Sequence, residues 1–178
     1  MTRRAQVGTA KQMNEAERKE WLHRHRTQVL AHAGVQENGV VLDFGCGSGI
    51  YALAAARLVG DGGKVYALDK DLGELGKLEQ AARRQGLSNV ETILSSNLQT
   101  GLADGCVHVV LMHDILHMID DRGTLFQAVY KVLCPGGRVS IYPMHVDADE
   151  VVRQMRANGF ALQAEHYEGS ILIFDRKG

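Results

Sequence analysis

Residues 41–49, Val-Leu-Asp-Phe-Gly-Cys-Gly-Ser-Gly, constrain this chain more than any other stretch. A short apolar run opens directly onto three alternating glycines, and the alanine-rich segment Ile50–Val59 that follows has helical character. Glycine lets the backbone turn through positive φ and lets a ligand come close, while a helix start presents N–H groups that lack an intrahelical partner. A strand, tight loop and helix in that order belong at the carboxyl edge of a parallel sheet, where nucleoside-type ligands sit. The dinucleotide fingerprint GxGxxG needs glycine at its sixth position, but Ile50 stands there and the third glycine comes one residue early, at Gly49. A P-loop needs Gly-Lys-Ser/Thr at the end of the loop, and this loop has none.

The rest of the chain fits the same architecture. Short apolar runs recur at Val40–Phe44, Lys64–Leu68, Val90–Leu94, Val107–Met112 and Arg138–Tyr142, several of them apolar on consecutive positions, as strands covered on both faces are. Helix-period segments separate them: Ile50–Val59, Leu72–Gln85 and Thr124–Leu133, the last stopped by Pro135-Gly136-Gly137. Strands alternating with helices imply parallel βαβ units. After a further helix at Ala148–Asn158, the runs Phe160–His166 and Ser170–Phe174 are joined by three residues only, which permits a hairpin and excludes a parallel crossover. Ahead of all this, Asn14 and Glu17 have the spacing of a capping box, which predicts one helix from Asn14 to the glycine stop at Gly34. Residues 1–12 read as a disordered start.

At 178 residues the chain has room for one domain with a real core. Its three cysteines, Cys46, Cys106 and Cys134, are odd in number and unrelated in spacing, which points to reduced thiols in a cytoplasm and to neither a disulfide framework nor a metal site. No apolar run has the length of a membrane span, and no signal-peptide core follows Met1. Formal net charge is −1, so no global field favours nucleic acid or membrane. The distribution is uneven, however: residues 1–32 carry seven Lys/Arg against three Glu. The expected organisation is a basic N-terminal arm and helix at 1–34, followed by one domain at 35–178.

Asp69 ends the second apolar run, 24 residues after Gly45, and a carboxylate there can accept hydrogen bonds from both hydroxyls of a ribose. Asp71 is the better placed of the two to cap the following helix. With these residues in view, VLDFGCGSG, VYALDKD, LADGCVHVVLMHDILHMI and VLCPGGRVSIY together resemble the class I S-adenosylmethionine-dependent methyltransferases, in particular small single-domain members of the type-11 and type-25 kind. The resemblance covers about residues 35–178. It implies a three-layer, Rossmann-like α/β fold with a seven-stranded, mostly parallel sheet ending in an antiparallel hairpin, and S-adenosyl-L-methionine as cofactor. Carried over by position, Asp43, Gly45, Cys46, Gly47 and Gly49 would border the methionine and sulfonium portion, with His113 alongside. Asp69 would hold the ribose and Lys70 would lie near the adenine. Ser96-Asn97 stands where many members have an acidic residue that reads the adenine amino group, so these two would border the cofactor, with the Asn97 side-chain oxygen as the acceptor, and His108 stands where many have aspartate.

The implied reaction is an in-line displacement at a methyl group whose leaving group is a neutral thioether, so the first requirement is to position the acceptor. A base helps only when the acceptor must lose a proton. Candidates at the carboxyl ends of strands are His113, His117 and His145, each with an ordinary packing or surface role as the alternative. The Asp/Asn-Pro-Pro-aromatic motif of base-amino methyltransferases is absent, since residues 113–116 are His-Asp-Ile-Leu. Thiol-based arsenic chemistry needs clustered cysteines, and Cys46 alone falls in the loop. The expectation is therefore a small-molecule methyl acceptor, with no membrane partner. Two alternatives stand beside it: an RNA or protein methyltransferase that uses the basic arm, and a non-catalytic S-adenosylmethionine-binding protein.

Overall fold

The computed structural model describes residues 13–178, so the expected disordered start at 1–12 lies outside the described residues. The elements in chain order are α1 (Glu15–Arg24), α2 (Arg26–Ala33), β1 (Val40–Phe44), α3 (Ile50–Val59), β2 (Lys64–Asp69), α4 (Leu72–Arg84), β3 (Val90–Leu94), β4 (Val107–His113), α5 (Arg122–Val132), β5 (Leu133–Tyr142), α6 (Ala148–Ala157), β6 (Phe160–His166) and β7 (Ile171–Arg176). A single 3-10 turn, Leu116–Met118, lies between β4 and α5.

The seven strands form one sheet in the order β3-β2-β1-β4-β5-β7-β6. The first five are parallel, and β7 runs antiparallel between β5 and β6. The apolar run of each central strand divides between two cores because successive side chains point to opposite faces. Val41, Val109, Leu111, Ile171 and Ile173 join the core under α1–α4. Leu42, Val110, Met112, Leu172 and Phe174 join the one under α5 and α6. This three-layer α/β architecture is the one the alternation of runs and helices implied.

Capping residues set several of the helix ends. Asn14 accepts from the Glu17 N–H at 3.0 Å and Glu17 returns the bond to the Asn14 N–H at 3.0 Å, a complete capping box. Asp71 accepts from the N–H groups of Gly73 and Glu74 at the start of α4. Gly34 ends α2 in the left-handed region at φ +88°, and the Val35 N–H returns to the Leu30 carbonyl at 3.0 Å.

Two boundaries differ from expectation. The helix foreseen from Asn14 to Gly34 is two helices broken at His25, whose ring stacks on Trp21 at 4.0 Å and bonds the Trp21 carbonyl through Nδ1 at 2.8 Å. The break lets Leu22 on one helix and Val29, Leu30 and Ala33 on the other all reach full burial in the core they share with the sheet. Fully burying each of the larger side chains contributes about 1.5–3 kcal/mol. The second difference is β5, which begins at Leu133 and not at Arg138. Leu133 pairs with Val107 and Arg138 with Val109, so residues 134–137 bulge opposite His108 alone. Gly137 is required there, because a Cβ would come within 2.8 Å of Leu133 and 2.9 Å of the Cys134 carbonyl.

Candidate functional site

The loop after β1 is tied down before any ligand is considered. The N–H groups of Gly45 and Cys46 both donate to the Leu68 carbonyl, at 2.8 and 3.0 Å, which locks the loop to the end of β2. Gly45, Gly47 and Gly49 all take positive φ, at +77°, +51° and +84°. A Cβ on Gly45 would lie 2.5 Å from Ile115, and one on Gly49 would lie 2.3 Å from Leu78. Gly47 differs: nothing lies within 4 Å of the place its Cβ would take, so its bareness leaves open space above the loop. Gly49 starts α3 without a side-chain cap and packs against Leu78, and it lines neither of the clefts beside the loop.

Two clefts meet over this loop and share Gly45, Gly47 and Met118. The first, about 180 Å³, lies between the ends of β1, β2 and β3, with Asp69 and Lys70 on one side and Leu98, Ile115 and Ile119 on the other. Asp69 accepts from the Gly47 N–H at 2.7 Å through one carboxylate oxygen and from the Asp71 N–H at 2.9 Å through the other. Each oxygen keeps a second lone pair, so the carboxylate is oriented and can still accept two hydroxyl donors. Ser95 and Ser96 reach the wall of this cleft, and Asn97 does not. The Asn97 side-chain oxygen accepts from Ser95 Oγ at 3.1 Å and from the Gln99 N–H at 3.3 Å, inside its own loop. His108 is remote from both clefts and accepts the Val40 N–H at 3.0 Å.

The second cleft, about 340 Å³, brings Asp43, Cys46, Tyr51, His113, Asp114 and Tyr142 together under Lys19 and His23 of α1. Four polar atoms in its wall are buried without a hydrogen-bond partner: Asp43 Oδ2, Tyr51 OH, His113 Nδ1 and Asp114 Oδ1, the last of which faces His117 Nδ1 at 3.5 Å. Such orphans are rare in folded proteins and mark a place that a polar ligand completes. Burial pushes the Asp43 carboxyl up to about 7, against the Ala52 N–H that stabilises its charge and with Asp69 adding repulsion. Burial also takes the His113 imidazole down to about 3, so the ring is neutral and its Nε2 meets Ser140 Oγ at 2.9 Å. The Cys46 thiol is driven up by burial and by the charges of Asp43 and Asp69, which keeps it protonated.

Of the three histidine candidates, His113 alone lines this cleft. His117 Nδ1 sits 3.5 Å from Asp114, and its ring lies 5.0 Å from that of His145. His145 in turn lies 3.4 Å from Glu15 and borders a neighbouring cleft beside Arg18 and Ser170. Lys19 belongs to the basic arm that the sequence placed near the rim of the site, whereas His23, Tyr51, Tyr142 and Met118 were not foreseen. The signal that could have found His23 is its i, i+4 spacing from Lys19, which puts both on one face of α1. His23 is half-buried, and burial together with the nearby Lys19 lowers its pKa. Three non-glycine residues with positive φ, Leu98, Asp114 and His145, occupy the loops that follow β3, β4 and β5. Backbone strain of this kind concentrates at functional sites. Among the described residues, no helix is long and apolar enough to cross a membrane.

Comparison with known proteins agrees with this geometry. A family model for a methyltransferase domain matches residues 42–141. The chain is 32% identical over 111 residues to an arsenite methyltransferase of Halobacterium salinarum, covering 62% of this chain and 28% of that protein. It is 32% identical over 112 residues to a demethylmenaquinone methyltransferase of Geobacillus stearothermophilus, covering 63% of this chain and 48% of that one. The chain thus spans less than half the length of either relative. In fold it is similar to the crystal structure of a SAM-dependent methyltransferase from Aquifex aeolicus, with a TM-score of 0.74 and 22% identity over 92% of this chain and 97% of that one.

Proposed function

The chain belongs to the class I, S-adenosylmethionine-dependent methyltransferase-domain family, and on that premise we propose that it transfers a methyl group from S-adenosylmethionine to a small-molecule acceptor. One observation carries the reading: the two clefts join over Gly45 and Gly47, with an oriented carboxylate in the first and buried, unpartnered polar atoms in the second. The donor set fits the cofactor. Asp69 accepts from the ribose hydroxyls, and Leu98, Ile115 and Ile119 form an apolar slot for the adenine beside Lys70 and Ser96. Asp43, raised to about 7 by burial, is the group that a cationic amine would return to its charged form.

When bound, S-adenosylmethionine supplies a methyl group on a positive sulfonium that leaves as a neutral thioether. The bare backbone at Gly45 and Gly47 admits the ligand where the clefts meet. Tyr51, His113 and Tyr142 wall the far side, and Lys19 and His23 of α1 roof it against water. Their task is to hold the acceptor atom about 3–3.5 Å from the methyl group and in line with the breaking bond. His113, neutral with its Nε2 against Ser140, serves as a fixed polar wall at Nδ1. For an acceptor that must lose a proton, His23 is the imidazole of α1 that faces the cleft uncharged at neutral pH.

The acceptor class is supported by the two relatives, which are named for arsenite and demethylmenaquinone, both small molecules. Arsenite itself is a poor fit, since Cys46 is the one cysteine lining the joined clefts and its thiol is held protonated. Titration calorimetry with S-adenosylhomocysteine and with NAD, followed by transfer of labelled methyl from S-adenosylmethionine into a fractionated extract, tests the reading. The expected result is S-adenosylhomocysteine binding, no NAD binding, and label in the small-molecule fraction. Label confined to RNA or protein, or binding without any transfer, would overturn it.

A further inference from the structure

A second groove, about 320 Å³, runs from the mouth of the acceptor-side cleft along the outer face of α3. It shares His23 and Ile50 with that cleft, so the two spaces adjoin at those side chains. Its floor is apolar: Leu53 is half-buried, and Ile50 is 41% exposed. Its rim is cationic, with Arg24, Arg26 and Arg57 around it and Glu20 as the one carboxylate.

Two of the three guanidinium groups, those of Arg26 and Arg57, are oriented by uncharged acceptors. Arg26 donates to the His23 carbonyl at 2.7 Å. Arg57 donates to the Leu53 carbonyl at 3.3 Å and to the Gln85 side-chain oxygen. Those acceptors are uncharged, and they fix two planar donors without consuming their charge. Glu20 lies 3.9 Å from Arg24, at the outer limit of an ion pair between two exposed side chains. A net positive, concave rim on a chain of net charge −1 is a local feature of this groove and not a property of the whole surface.

We propose that this groove is the outer half of the acceptor site, and that it holds an oxyanion, phosphate or carboxylate, at the end of an acceptor whose apolar body lies on Ile50 and Leu53. The reacting end then passes His23 into the cleft over Gly47. The inference rests on the methyltransferase reading for its word "acceptor", while the groove's preference for an apolar anion is independent of it. Planar, forked guanidinium donors match oxyanions in two-point contacts, which accounts for arginine and not lysine at all three rim positions. Three arginines converging on one short concavity suit a single anionic group, whereas a nucleic-acid backbone calls for cations spread along its path.

The test uses the whole chain saturated with S-adenosylhomocysteine and the probe pair 1-naphthyl phosphate and 1-naphthol, which share an apolar body and differ in charge. Calorimetry is expected to show saturable binding of 1-naphthyl phosphate, with 1-naphthol at least about tenfold weaker. Arg24→Gln combined with Arg57→Gln weakens the phosphate by a similar factor and leaves S-adenosylhomocysteine affinity unchanged. Arg153→Gln on α6, outside the groove, changes neither. Equal affinity for the two probes, or unchanged phosphate binding in the double variant, overturns the proposal. Tighter binding of a short single-stranded oligoribonucleotide through the same arginines overturns it in favour of nucleic acid. Loss of S-adenosylhomocysteine binding in the wild-type chain, with phosphate binding retained, defeats the methyltransferase reading and leaves the groove's anion preference standing.

Discussion

Lys19 on α1 and Asp114 just past β4 are ion-paired across the mouth of the acceptor-side cleft, 95 residues apart in the chain. Asp114 makes this contact from a left-handed backbone, φ +58°, and its other carboxylate oxygen faces His117 at 3.5 Å. The pair therefore joins the helical roof to the strand end that forms the floor.

Lys19 is 41% exposed, so screening limits the pair's contribution to stability to about 1 kcal/mol or less. Lys19→Met is expected to move Tm by no more than about 2–4 °C. It should nonetheless speed S-adenosylhomocysteine release several-fold, because the roof loses its tether. Stopped-flow displacement measures the release. At Asp114 itself, Asn tolerates the left-handed backbone and Ala does not, so Asp114→Ala is expected to be less stable than Asp114→Asn by roughly 1–2 kcal/mol. Parallel urea titrations of the two variants check this.

Gly45 and Gly47 separate two reasons for glycine. Gly45→Ala drives a methyl group to 2.5 Å from Ile115, so both stability and cofactor affinity fall. Gly47→Ala meets nothing within 4 Å and bears only the left-handed penalty of roughly 1–2 kcal/mol. Its new methyl projects into the space where the clefts join, so a large loss of S-adenosylhomocysteine binding with a small change in Tm is expected. Thermal melts with and without ligand distinguish the two variants.

Asp43 and His113 make opposite contributions to the pH dependence of folding. An acid raised from 3.8 to about 7 binds its extra proton in the folded state, so stability falls as pH rises through that interval. An imidazole lowered from 6.5 to about 3 binds its extra proton in the unfolded state, so stability rises with pH across that interval. Each slope is at most about 1.4 kcal/mol per pH unit, and between about pH 4 and 6.5 they oppose one another. Urea unfolding of Asp43→Asn is expected to show stability relative to wild type growing as pH rises to about 7. His113→Gln should show the reverse trend, falling relative to wild type up to about pH 6.5.

Ser140 is fully buried beneath His113 and gives Nε2 its partner at 2.9 Å. Ser140→Ala leaves both ring nitrogens without a bond and is expected to destabilise the fold by about 1–3 kcal/mol. It should also reduce ligand affinity, since the ring loses the contact that sets its orientation. Chemical denaturation and calorimetry on the same preparation check both effects.

The parts of the site legible in the sequence were those encoded by neighbours in the chain. The glycines at 45, 47 and 49 declare themselves because the turn they make is local, and Asp69 follows from its place at the end of a strand beside that turn. Asp71 capping α4 and the Asn14–Glu17 box are likewise short-range chemistry. The beginning of β5 was not legible, because Pro135-Gly136-Gly137 carries the same signal whether it ends a helix or makes a bulge. The choice falls to Leu133 pairing with Val107 on another strand.

The same division holds for function. Alternating apolar runs fix which faces of each strand are buried, because side chains alternate with period two, and the order of runs and helices determines a parallel sheet with a cofactor loop at its carboxyl edge. Which polar groups face one another over that loop is a matter of distance in space. Tyr51, His113 and Tyr142 converge only after three elements pack together, and burial, which no single residue encodes, moves Asp43 and His113 in opposite directions. Lys19, Arg24 and Arg26 read in sequence as a basic arm, and His23 and Arg57 carried no signal of their own. The break at His25, the packing of Leu22 and Leu30 into the core, and the docking of α2 against α3 turn them into a roof and a rim.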